Sequence, residues 1–198
     1  MNLAFKCLIL LTSVAVAFAA DKEKPKIEIH PAASYPHHQT SQGVTIAAIP
    51  YDTEELAKSA FGKLNPNERG ILPVLVVIDN PTASAIRLNR LKIEYTAPGG
   101  LRVLNTPAQD LRFLNGAREP KISPGPVGGI HVSRDKNPFG EWEIEGRAFN
   151  AKMIAPNDTA SGFFYFQTGR RGGASLYLSG LVDAKSGQEL FYFEIPFD

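Results

Sequence analysis

Of its 198 residues, this chain spends only one on cysteine, two on methionine and one on tryptophan. The cysteine, Cys7, directly follows Lys6 at the start of an apolar run, not at its end where a lipid-attachment cysteine would stand. Once that run is removed as a leader, no thiol is left. Disulfides, thiolate metal sites and cysteine nucleophiles are therefore excluded, and stability has to come from burial. An excess of either charge is also missing: 21 Lys and Arg stand against 20 Asp and Glu, a net charge of +1. Proteins that hold nucleic acid or anionic membranes by counterion release carry a basic excess or stripe, so no nucleic acid partner is expected. No segment after the leader offers about 18 unbroken apolar residues, so no transmembrane anchor is expected either.

Lys6 is the lone charge ahead of an apolar stretch that runs from Cys7 to Phe18. Ala17-Phe18-Ala19 puts small residues at the two positions a signal peptidase reads. Residues 1–19 are read as a secretory signal peptide, with the mature chain starting at Ala20 in the periplasm or outside the cell. Residues 20–43 read as an extended lead-in with a short strand at 26–30, and residues 44–198 as one domain.

Val44 to Ile49 reads as a strand closed by Pro50. Asp52 is placed as the cap of a helix of two turns, with Glu55 three residues on and Gly62 at its end. Ile71 to Ile78 is the most continuously apolar stretch, broken only by Pro73; both of its faces require cover, so it belongs in the middle of the fold. Asp79-Asn80-Pro81-Thr82 stops it. Ile86, Leu88, Leu91, Ile93 and Tyr95 form the next extended run. Residues 97–140 are rich in Gly and Pro, with short apolar islands. Trp142, Gly146, Phe149 and Met153 recur at helical spacing, which predicts a second helix over 141–153. Three strands follow, at 162–166, 175–182 and 189–197, separated by gaps that suit antiparallel hairpins. The expected core takes Val76, Ile78, Phe163 or Phe164, Phe166, Leu178, Phe191 and Phe193.

Two segments carry a resemblance. Val74-Leu75-Val76-Val77-Ile78-Asp79-Asn80 resembles the opening strand and turn of the immunoglobulin-like domains of exported bacterial proteins. Pro156-Asn157-Asp158-Thr159-Ala160-Ser161-Gly162-Phe163-Phe164-Tyr165-Phe166 is similar to their mid-domain strand. The resemblance covers residues 70–197 and implies a mainly β fold: an immunoglobulin-like antiparallel β-sandwich with one or two short helices and a binding or scaffolding role. It brings no catalytic residue.

The residues themselves name no catalytic, cofactor-binding or metal site. His37 and His38 are adjacent, so in extended chain only one of them could join His30 or His131 around an ion. Ser179-Gly180 lies in a strand pattern and no Gly-x-Ser-x-Gly occurs, which leaves a serine hydrolase without its elbow. Glu141, Glu143 and Glu145 read as a solvated helix face and Arg170-Arg171-Gly172-Gly173 as a turn. Gly99-Gly100, Gly125 and Gly128-Gly129 lack the Lys-Ser/Thr ending of a phosphate loop. The aromatic C-terminal strands could line a carbohydrate or peptide groove, but core packing explains them more simply. The expectation is an exported, non-enzymatic interaction or accessory domain, without cofactor, that meets an unknown protein or envelope partner through residues 97–140. A small envelope hydrolase with its site in that segment, and a histidine-based carrier of metal or a small molecule, are the alternatives.

Overall fold

The computed structural model describes residues 27–114, 121–124, 130–133, 139 and 142–197; residues 1–26, with the segment read as a leader, the rest of the Gly/Pro-rich middle, Glu141 and the side chains of 121–124, 130–133 and Trp142 lie outside the described residues. Among the described residues, thirteen strands and three short α-helices follow in order: β1 His38–Ser41, β2 Val44–Pro50, α1 Glu54–Phe61, β3 Leu72–Asn80, β4 Ile86–Arg87, β5 Lys92–Thr96, β6 Arg102–Thr106, α2 Ala108–Leu111, β7 Lys121–Pro124, β8 Ile130–Ser133, α3 Trp142–Glu145, β9 Met153–Ile154, β10 Asp158–Phe166, β11 Ser175–Ser179, β12 Val182–Asp183 and β13 Phe193–Pro196. The fold is mainly β, and its strands pair antiparallel.

Eight strands form one sheet in the order β1-β2-β3-β10-β6-β5-β11-β13. Its two edge strands meet. Gln39 Oε1 accepts the Glu194 N–H at 2.7 Å and Gln42 Oε1 accepts the Phe191 N–H at 2.8 Å, so glutamine side chains, not a backbone ladder, bring the seam together. The result is a nearly closed, barrel-like sheet. Two smaller sheets accompany it, β12-β4-β9 and the β7-β8 hairpin.

Strand β3 explains why the sheet has cover on one side. Val74, Val76 and Ile78 point to the interior with Ile46, Tyr95, Phe166, Leu176, Leu178, Phe193 and Ile195. Leu75 and Val77 point outwards and are buried by Phe61 of α1, Leu111 of α2 and Ile144 of α3. Phe163 of β10 sits in that outer layer, 4.8 Å from the Tyr51 ring and 4.9 Å from the Phe61 ring. Asn80, 1% exposed, ends β3 as a clip: its Nδ2 donates to the Ser84 and Ala155 carbonyls at 2.8 and 3.0 Å, and its Oδ1 accepts from the Thr82 hydroxyl. The turn asparagine in the sequence motif is thus a fully bonded buried corner, which meets the requirement that interior polar groups be paired.

Several sequence expectations are corrected. The 141–153 helix shrinks to α3, because residues 147–149 are taken up by the edge of β10: the Phe163 N–H donates to the Arg147 carbonyl at 2.9 Å and the Phe149 N–H to the Phe163 carbonyl at 3.0 Å. Helical periodicity loses here to an open strand edge that needs partners. Strands β10 and β11 are not a hairpin, since β10 lies between β3 and β6 while β11 lies between β5 and β13. The last strand starts at Phe193, not at 189, and Phe191 is 70% exposed instead of in the core. Residues 27–30 form no strand, and the run from Ile86 to Tyr95 divides between two sheets. The sheet itself starts at His38, inside the segment read as lead-in. Thr53, not Asp52, caps α1, accepting from the Leu56 N–H; Asp52 pairs with Arg170 instead, at 2.9 Å.

Candidate functional site

The handover on β10 creates a notch in the sheet wall. Strand β6 reaches β10 only at Tyr165↔Thr106 and Phe166↔Asn105, whereas Phe163 is bridged in parallel to Ala148. Between those two partners the wall parts, leaving a cavity of about 420 Å³ with residues 105–109 on one side, 148–150 and Glu145 on the other, and 163–165 as its floor. That volume lies within the roughly 300–1,000 Å³ of small-molecule sites.

Gly162 allows this architecture. A Cβ there would stand 2.5 Å from Phe149 Cα and 2.7 Å from Phe149 N, closer than side-chain carbons come to backbone. The 147–149 segment can cross β10 only because position 162 is empty.

Glu145 reaches the notch from the end of α3, and α3 is held from below. The Tyr165 hydroxyl donates to the Ile144 carbonyl at 2.8 Å in a buried setting. Burial pushes the Tyr165 phenol far above its ordinary value, with Arg147 pulling weakly the other way. Burial also raises the Tyr51 phenol, and it lowers the Arg147 guanidinium against the opposing influence of Tyr165, Glu143 and Tyr51. The Glu145 carboxylate is ion-paired with Arg112, whose Nε donates to the Gln109 carbonyl at 2.8 Å. That pair ties α3 to α2 across the end of the notch.

The rest of the notch is amide, hydroxyl and half-buried ring. Thr106 Oγ1 accepts from Gln167 at 3.0 Å, Asn105 and Asn150 belong to opposite walls, and the Phe149 and Phe164 rings stack at 5.1 Å. Phe163 and Tyr165, 2% and 1% exposed, contribute little surface.

The candidates raised by the sequence are placed elsewhere, apart from Glu145. His30 and His38 stand near Tyr35: the Tyr35 hydroxyl accepts the His30 N–H at 3.0 Å, and His38 Nδ1 lies 2.6 Å from the Tyr35 carbonyl oxygen. The His37 ring meets Phe197 edge-on, and the His131 side chain lies outside the described residues. Among the described residues, no three His, Cys, Asp or Glu side chains gather closely enough to hold a metal. Ser179 ends β11, and Gly180 follows at φ +83°, where a Cβ would stand 2.0 Å from the Arg90 carbonyl oxygen, a strand end and not a nucleophile elbow. Arg170 is bonded to Asp52 and to the Phe197 carbonyl, and the Arg171 N–H donates to the Tyr95 hydroxyl at 2.7 Å, so this turn fastens two ends of the sheet. Of the C-terminal aromatics, Phe193 and Phe197 are core; Tyr177 and Tyr192 stack on the outer face at 5.3 Å with Arg102 over Tyr177. Sequence reasoning missed the notch because it depends on where β6 and residues 147–149 meet β10, and no local signal encodes that meeting.

No family model matches the chain, and no curated protein is similar to it at a significant level. Among solved structures it is similar to a Bacillus subtilis subsp. subtilis protein, ycdA, provisionally described as a lipoprotein, with a TM-score of 0.37 and 9% identity over 80% of this chain and 38% of that one. The chain thus spans well under half of that neighbour's length. A likeness of this degree carries no argument about what the chain does.

Proposed function

We propose that the chain is an exported, non-enzymatic recognition domain of the cell envelope, with the notch between β6 and residues 148–150 as its binding site. One observation carries the reading: among the described residues, the only carboxylate lining the notch, Glu145, is already ion-paired with Arg112, and no histidine lines the cavity. A general base needs a carboxylate or imidazole free to take a proton near neutral pH. Tyr165 beneath it is shifted away from ionisation, the opposite of an activated phenol. Binding without turnover is what such a site does best.

Export rests on the leader read at residues 1–19. The immunoglobulin-like relationship belongs to the same proposal: β1-β2-β3-β10 and β6-β5-β11-β13 face each other across one core as two layers, which supports it, while β10 and β6 join them along one side.

The test uses residues 20–198 immobilised and exposed to envelope extract, beside a Gln109→Trp variant that fills the notch from its rim. A retained component that disappears with Gln109→Trp supports the reading. Turnover of a chromogenic ester, glycoside or peptide that vanishes in Glu145→Gln overturns it.

A further inference from the structure

We infer that the notch takes a neutral, hydroxyl-rich ligand, a small saccharide unit; this rests on the binding reading above and deepens it. Charge comes first. None of the residues lining the cavity is basic among the described ones, and the nearby guanidinium of Arg112 is engaged by Glu145 and by the Gln109 carbonyl. A phosphate or carboxylate entering the notch would meet Glu145 and, among the described lining residues, no cation to receive it, so anions are disfavoured.

Apolar ligands are disfavoured for another reason. Two of the three floor side chains, Phe163 and Tyr165, are sealed into the outer layer, Tyr165 with its hydroxyl on the Ile144 carbonyl, and so give little surface for burial. The uncharged polar residues of the lining are Asn105, Thr106, Gln109 and Asn150. Amides and hydroxyls both donate and accept, and so does each hydroxyl of a sugar, which makes this lining complementary to a polyol without any fixed charge. The stacked Phe149 and Phe164 rings are half-buried beside them, offering a narrow apolar strip against which the C–H face of a pyranose can lie. The volume of about 420 Å³ holds a short saccharide, not a folded partner.

The experiment is an amide-resolved NMR titration of residues 20–198 with cellobiose, maltose and di-N-acetylchitobiose, with citrate and ATP as anionic controls. Shifts centred on residues 105–109 and 148–150 with one of the sugars, and none there with the anions, are expected. Asn150→Ala and Gln109→Ala should each weaken that sugar by about tenfold, the loss of one hydrogen bond of about 1.4 kcal/mol. No sugar response up to about 10 mM, where even weak millimolar binding would register, overturns the inference, as does a response that both variants leave unchanged. If the envelope component is still lost with Gln109→Trp while every sugar fails, the ligand class is wrong and the binding reading survives. If both fail, the reading falls with it.

Discussion

Asn67 Nδ2 donates to the Tyr51 carbonyl at 2.8 Å, at the place where Pro73 has no N–H to give. The Tyr51 N–H donates to the Pro73 carbonyl at 2.8 Å, so the two residues face each other as a ladder pair with one bond missing. The asparagine, held in its own turn by Asn65, supplies the second donor. This is how a proline is accommodated near the start of the most buried strand, as its second residue, where the missing N–H would otherwise leave the facing carbonyl unpaired. Asn67→Ala should therefore cost about 1–2 kcal/mol in a urea melt, the value of a lost bond at a part-buried carbonyl. In a Pro73→Val background the restored N–H should make the same substitution nearly silent. Equal costs in both backgrounds would show that Asn67 acts only within its own turn.

Gly162→Ala should destabilise by about 1–3 kcal/mol or more, because the clash is with backbone and cannot be relieved by a rotamer change. Amide exchange at Phe149 and Phe163 should rise together, since the bonds from the Phe149 N–H to the Phe163 carbonyl and from the Phe163 N–H to the Arg147 carbonyl both break as the crossing segment lifts. A variant with unchanged stability and protection would mean that 147–149 can dock on β10 without the glycine.

Phe193 is wholly buried in the interior while Phe191, two residues earlier, is 70% exposed. Phe193→Ala should lose about 3–5 kcal/mol. Phe191→Ala should stay within about 0.5 kcal/mol. Chemical denaturation of both variants distinguishes this arrangement from one in which the strand runs unbroken through 191; there, both would be costly.

Asp183 caps the turn after β12, accepting from the Ser186 N–H at 2.6 Å, the Ser186 hydroxyl at 2.9 Å and the Lys185 N–H at 3.0 Å. These bonds, that to the Ser186 backbone foremost, pull its carboxyl down to about 2. The folded value lies below that of an unfolded aspartate, ~3.9. The turn's stabilisation is therefore complete above the unfolded value and is lost as pH falls through the folded one. A carboxyl-detected NMR titration should give a midpoint about 2 for Asp183, and Asp183→Asn should remove this contribution from the acid limb. A midpoint in the ordinary carboxylate range would contradict the turn geometry.

The parts of the fold that sequence made legible are those decided within one element. Leu72, Val74 and Leu75 announce a strand covered on both faces, and residues 54–61 with Gly62 behind them announce a short helix. What could not be read depends on partners distant in sequence. The periodicity of Trp142, Gly146, Phe149 and Met153 is real, yet residues 147–149 are claimed by the open edge at Phe163. Phe191 alternates correctly with Phe193, yet β13 starts after it, with the Phe191 N–H held by Gln42 across the seam. The notch shares this cause. Residues 105–109 lie in the 97–140 segment where a partner surface was expected, but their opposite wall comes from the segment read as helix.

The most direct test of recognition at the notch is site-specific photo-cross-linking in living cells. A photoreactive residue at position 109, on the notch, is compared with one at position 192, on the outer face of the seam. The account requires an envelope-derived adduct from position 109, competed away by the sugar that binds in vitro, and none from position 192. An adduct from position 192 alone would move recognition to the exposed aromatic face of the C-terminal strands and contradict the notch as the site.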